Sequence, residues 1–150
     1  MEIGVLNGET RRTMVDVAIK KVPHVEVEYC RFDFFRMYSH HQAKQKLEKT
    51  GCTFKLIKGT PLKLFLKLLK PWPKMGLIFI DGGKSYFEAK SDCDHSKTLM
   101  HDEIAVFHNH NFLGVMRMVD NIPRDKYRVN IIYLSDDSDT AFIKRISDSS

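Results

Sequence analysis

Long apolar runs are missing from this 150-residue sequence. None reaches the roughly 20 residues needed to cross a bilayer, so no membrane-spanning helix is expected. A basic segment followed by an apolar core and a cleavage site is also missing, and the chain reads as cytoplasmic. Cysteine is scarce. Cys30, Cys52 and Cys93 are odd in number, far apart and outside any CxxC pair, which speaks for reduced structural thiols rather than a disulfide frame or a zinc site. There is no internal repeat, no linker and no low-complexity tract apart from the polar tail 147–150. The net charge of +5 comes from lysines spread along the chain, and a basic surface alone is weak evidence for RNA, so nucleic acid is not an expected partner. With 43% hydrophobic and 29% charged residues the composition is ordinarily globular, and residues 1–150 are read as one domain.

What is present is a glycine turn at the end of a strand. Met1-Glu2-Ile3-Gly4-Val5-Leu6-Asn7-Gly8-Glu9-Thr10 reads as the exposed end of a β-strand, a turn bracketed by Gly4 and Gly8, and the start of a helix. A residue without Cβ lets the backbone take positive φ or approach a ligand closely. Met14, Val15, Ala18, Ile19 and Val22 then recur at helical spacing, so the turn delivers amide groups to a helix N-terminus. Strand, glycine turn and helix form half of a nucleotide site. The other half is an acid at the end of the next strand, roughly 20 residues on, ready to accept hydrogen bonds from ribose hydroxyls. Asp33 stands there, closing 25–33. A nicotinamide cofactor is a weak rival, because GxGxxG would need glycine where Leu6 and Arg11 stand.

The alternation continues. Residues 39–50 read as a helix stopped by Gly51, 53–57 as a third strand, and 62–70 as a helix opened by Pro61 with one lysine face. Residues 76–81, an apolar run closed by Asp81, read as a parallel strand covered on both faces. A helix over 85–98, a strand over 103–107 tipped by His108-Asn109-His110-Asn111 and a helix over 112–122 follow. Strands 127–134 and 140–146 are joined by a link too short for a parallel crossover, which predicts an antiparallel hairpin. The whole is an α/β sheet with an antiparallel edge.

Together, Glu2-Ile3-Gly4-Val5-Leu6-Asn7-Gly8, Asp33, Gly59-Thr60, Ile80-Asp81-Gly82-Gly83-Lys84-Ser85-Tyr86 and the closing hairpin resemble class I S-adenosylmethionine-dependent methyltransferases. The likeness is to the small-molecule branch whose fourth strand ends in Asp-Gly-x-His-Ser/Thr-Tyr and whose fifth ends in His-Asp. It covers almost the whole chain. The resemblance implies a Rossmann-like, doubly wound sheet in the order 3-2-1-4-5-7-6, strand 7 antiparallel, with helices on both faces. It implies S-adenosyl-L-methionine as cofactor, with Glu2, Gly4 and Gly8 around the methionine moiety, Asp33 on the ribose hydroxyls, Phe34 flanking the adenine and Thr60 near its edge. Asp81 would face the substrate side. The sequence departs from the pattern at Lys84, where the branch has His, at Gly83 for Asp, and at Asn109 for the Asp of the fifth tip. Helices that in the family precede strand 1 and roof the substrate pocket are not found, and this bears more on catalysis than on cofactor binding.

Methyl transfer from a sulfonium needs alignment, exclusion of water and, for a hydroxyl or amine acceptor, removal of a proton. Asp81, Lys84 and His108 are the candidates for base or orienting group. Asp81, His108, Asn109 and His110 also have the residue types of a divalent metal site, oxygens suiting magnesium or calcium and two histidines with a carboxylate suiting zinc, iron or nickel. The sharper expectation is a metal on Asp81, His108 and Asn109. The plainer one, solvated loop histidines, is favoured, because no such pair of histidines is diagnostic alone. The leading function is a methyltransferase with a small-molecule acceptor. A catalytically weak cofactor-binding or assembly domain and an RNA methyltransferase are the alternatives. Apolar surface left at the pocket mouth predicts a homodimer or a covering partner.

Overall fold

The computed structural model describes residues 1–4, 20, 27–33, 39–59, 74–133 and 138–146, with backbone alone at 100–104. They fall into two compact units, Met1–Thr60 and Pro61–Ser150.

In the first unit, β1 (Glu2–Ile3), β2 (Glu28–Asp33) and β3 (Thr53–Lys58) are parallel in the order β3-β2-β1. Between β2 and β3 lies helix α1 (His40–Glu48), whose start is set by a capping box. The Ser39 hydroxyl accepts from the Gln42 amide and the Gln42 side chain accepts from the Ser39 amide, which satisfies two donors that a helix start leaves open. Ala43 and Leu47, four residues apart, make the buried stripe of α1. Leu47 packs with Tyr29 and Cys52, with Val27, Phe54 and Leu56 against them. Gly51, at φ 72°, supplies the left-handed residue past the helix end.

In the second unit, β4 (Met75–Ile80) and β5 (Met100–Phe107) are parallel, while β7 (Thr140–Arg145) runs antiparallel between β5 and β6 (Tyr127–Ile132), giving β4-β5-β7-β6. Both parts of the predicted strand order, 3-2-1 and 4-5-7-6, are therefore found, as is the antiparallel hairpin. Helices α2 (Tyr86–Leu99) and α3 (Leu113–Asp120) bury Ala89, Cys93, Ser96 and Leu99, and Val115, Met118 and Val119. Strand β5 starts at Met100 rather than at 103, directly after α2. Strand β4 is not covered along its length, since Leu77 is 43% exposed and only Ile78, Phe79 and Ile80 are buried. Strand β5 pairs with β4 from Met75 to Ile80, yet the first half of β4 is open, so an unbroken apolar run does not by itself signal a doubly covered strand.

The predicted helices over 10–22 and 62–70 lie outside the described residues. All three cysteines are free and buried. Burial pushes the Cys30 thiol up to about 11 and the Cys93 thiol up as well, which makes both structural rather than nucleophilic. Among the described residues no helix is long and apolar enough to cross a membrane.

Candidate active site

Of the predicted cofactor residues, Glu2, Gly4 and Asp33 are described, and Gly8, Phe34 and Thr60 lie outside the described residues. Gly4 has φ 70° and its amide donates to Phe32 O at 2.9 Å, so the chain leaves β1 in a conformation that favours glycine while still paired to β2. On the other side of β2, the Gly59 amide donates to Asp33 O at 2.9 Å, and Gly59 has φ 133°. The Asp33 tip is thus framed by glycines at the ends of both neighbouring strands. Its side chain is 13% exposed and bonded to the Arg31 guanidinium.

Arg31 is not among the residues that the sequence pattern singles out. Nor is Tyr29, whose hydroxyl donates to the buried Glu2 carboxylate. The signal was there: Tyr29, Arg31 and Asp33 alternate along β2 and share a face. A charged residue two before a strand-end acid is within reach of it. Glu2, predicted to lie around the methionine moiety, is fully buried and in register with Arg31.

The second unit brings together Asp81, Lys84, His108 and Asn109 on the loops that leave β4 and β5. The Lys84 ammonium donates to Asp81 Oδ1 at 2.5 Å, the two side chains being 26% and 10% exposed. The His108 amide donates to Ile80 O at 3.0 Å, and its ring lies 5.8 Å from that of Phe79, tilted by 32°. Asn109 has φ 58°, left-handed for a residue with a side chain, a conformation that costs about 1–3 kcal/mol and persists where the surroundings enforce it. Its carbonyl accepts from the Phe112 amide, which turns the chain into α3. Phe112, not predicted, sets its ring 6.0 Å from Lys84 Nζ.

Two glycines explain this placement. A Cβ at Gly114 would meet Lys84 O at 2.3 Å and Tyr86 N at 2.6 Å, so the first turn of α3 rests directly on the loop after β4. A Cβ at Gly83 would meet the Glu88 side chain at 2.3 Å. That side chain caps α2 with Ser85, whose hydroxyl donates to Glu88 Oε2 at 2.6 Å and accepts from the Glu88 amide. Any side chain at Gly83, where the methyltransferase branch has Asp, would require this cap to shift.

A metal centre on Asp81, His108 and Asn109 does not fit this arrangement, since the Asp81 carboxylate is turned to Lys84. Among the described residues no three of His, Cys, Asp and Glu are grouped to hold a metal ion. His110 is 5% exposed, its amide donates to Asp139 O at 2.7 Å, and its Nε2 has no hydrogen-bond partner among the described residues. It is not a solvated loop histidine.

No family model matches the sequence, and no curated protein matches it either. Solved structures do match. An O-methyltransferase from Bacillus cereus in complex with SAH is 13% identical over 96% of this chain and 72% of its own, with a TM-score of 0.72. TomG from Streptomyces achromogenes, an O-methyltransferase involved in tomaymycin synthesis and solved with SAM, is 13% identical over 97% and 72%, with a TM-score of 0.71. An rRNA methylase from Streptococcus thermophilus is 10% identical over 97% and 87%, with a TM-score of 0.65. The chain therefore has the Rossmann-like α/β fold of class I S-adenosylmethionine-dependent methyltransferases.

Proposed function

We propose that the protein is an S-adenosylmethionine-dependent methyltransferase with a small-molecule acceptor. The observation that carries this reading is the tip of β2, where Asp33 stands between two positive-φ glycines in a fold whose solved examples include complexes with SAM and SAH. The carboxylate would accept from the ribose, Gly4 would let the chain pass close to the methionine moiety, and Gly8, Phe34 and Thr60 keep the roles the family likeness implies. Bound cofactor supplies the electrophilic methyl group. In the second unit, Lys84 held on Asp81 is a fixed cation beside an aromatic ring, suited to orienting an acceptor oxygen as negative charge develops on it. His108 is the candidate to take the acceptor's proton.

Calorimetric titration with SAM and SAH tests the reading. Asp33→Ala should bind about 10-fold to 100-fold more weakly, because a charge-assisted hydrogen bond contributes about 1.5–3 kcal/mol and 1.4 kcal/mol is tenfold. A folded wild type that binds neither compound would defeat the reading. The rRNA methylase likeness and the charge of +5 favour an RNA acceptor as second reading. Methyl transfer from labelled SAM into RNA and none into a metabolite extract would establish it. A weakly catalytic binding domain would bind SAH and label neither.

We also infer a homodimer. Phe87 is 81% exposed, Leu113 63% and Phe112 46%, all at the N-terminal ends of α2 and α3, and large exposed apolar groups of this kind mark interaction surfaces. Sedimentation showing a monomer at high concentration would remove the dimer. A cytoplasmic location remains part of the proposal.

A further inference from the structure

Arg31 is 1% exposed and Glu2 is 0% exposed, and the parallel register sets them opposite each other on β2 and β1. The Arg31 Nη2 donates to Asp33 Oδ2, and the Tyr29 hydroxyl donates to Glu2 Oε2. Among the described residues, one buried face thus carries two carboxylates with one guanidinium among them. Burying charge is costly unless it is compensated, so the cation has a reason to be here that packing does not supply. One bond it makes reaches the carboxylate of this face that is partly exposed, at the end of the strand. A guanidinium is planar, always charged and directional, and a carboxylate bonded to it is restricted in rotamer.

We propose that Arg31 is a positioning residue for cofactor binding: it holds the Asp33 carboxylate in the orientation that meets the ribose diol. The inference rests on the SAM-binding reading above. It assigns Arg31 no contact with the cofactor. Its effect on affinity should therefore depend on the ribose hydroxyls, and a residue that merely supports the fold would have an effect that does not.

The experiment compares SAH with its 2′,3′-dideoxy analogue by calorimetry on wild type and Arg31→Met. Wild type is expected to prefer SAH by about 10-fold or more, the worth of a charge-assisted hydrogen bond, and Arg31→Met should narrow that preference to about threefold or less. Should Arg31→Met fail to fold, Arg31→Lys keeps the charge but loses the planar fork, and a narrowed preference is expected there too. An unchanged preference in the folded variant, with both ligands weakened alike, overturns the proposal and leaves SAM binding standing. Equal affinity of wild type for the two ligands overturns both the proposal and the ribose role of Asp33, again with SAM binding intact. A folded wild type that binds neither SAM nor SAH overturns the whole reading.

Discussion

The carboxylates Asp33 and Asp81 both end a parallel strand and both carry a basic partner, yet they are built differently. Asp33 is bonded to a fully buried arginine on its own strand, two residues back. Asp81 is bonded to a partly exposed lysine on the loop after its strand, three residues on. Strand geometry fixes the first pair, because alternate residues share a face. The second depends on the loop, on Gly114 letting α3 sit against it, and on the Phe112 ring beside the ammonium. A rigid, charge-compensated strand tip suits a ligand of constant shape. A loop-borne cation beside exposed aromatic residues suits an acceptor that differs from one such protein to another.

Breaking the pairs should separate them most. Arg31→Met leaves two carboxylates on a buried face without their guanidinium, and losing one partner of a buried pair costs about 3–5 kcal/mol. For a chain of this length that lowers the Tm by on the order of 10 °C. Lys84→Met, at a pair water can reach, should cost about 1 kcal/mol or less. Equal losses in thermal denaturation would show that the two acids stand in like environments.

The support of the second pair can be tested through Gly114→Ala. A methyl group there meets backbone atoms at 2.3 and 2.6 Å, which cannot rotate away, so α3 or the loop must shift. Overpacking of this kind costs about 1–3 kcal/mol. The variant should also lose more activity than SAH affinity, because the displaced residues are Lys84 and Phe112 rather than those around Asp33. Loss of SAH affinity in proportion to activity would contradict this division.

Asp92, on α2, sharpens the electrostatic side. Burial, with help from Glu88, pushes its carboxyl from the ordinary 3.8 up to about 6, against the pull of His95 and Lys84. The folded chain then binds this proton more tightly than the unfolded one. Stability from this group is present below about pH 4 and is lost as the pH rises to about 6. A full shift corresponds to about 3 kcal/mol, and partial solvent access brings the expected gain of Asp92→Asn at pH 7 to about 1–2 kcal/mol. The gain should vanish at pH 4 in urea titrations. A gain equal at both values would assign it to packing.

The contrast between the two acids also shows what could be read before the structure. Apolar runs and spacings, helix stops and turn residues located the ten described elements to within a few residues, because burial and chain reversal impose them. Strand-end acids were legible for the same reason. Arg31 was not, because a strand-end acid is marked by its position, whereas its partner is marked only by sharing the face of that last residue. Phe112 and Gly114 were not, because their role comes from the approach of α3 to a loop some thirty residues earlier in the chain. The open half of β4 shows the converse, an apolar run that promised a cover its first residues do not have. Residue types alone, which suggested a metal on Asp81, His108 and Asn109, do not show that a lysine already meets the carboxylate.

That last point gives the smallest expected effect. An ion binding only the native state stabilises by RT ln(1 + [L]/Kd), so one present at or below its Kd adds at most about 0.4 kcal/mol. With the Lys84 ammonium 2.5 Å from Asp81 Oδ1, a divalent cation must displace a like charge to reach the carboxylate, and His108 and Asn109 alone offer one imidazole and one amide oxygen. Magnesium, manganese, zinc and nickel at millimolar concentration are therefore expected to move the Tm of the wild type by no more than about 1–2 °C. Lys84→Met removes the competing charge and should make the shift larger, and Asp81→Ala in that background should abolish it. A shift of many degrees in the wild type, lost in Asp81→Ala, would mean that the lysine yields to metal and that the two acids differ in ligand as well as in burial.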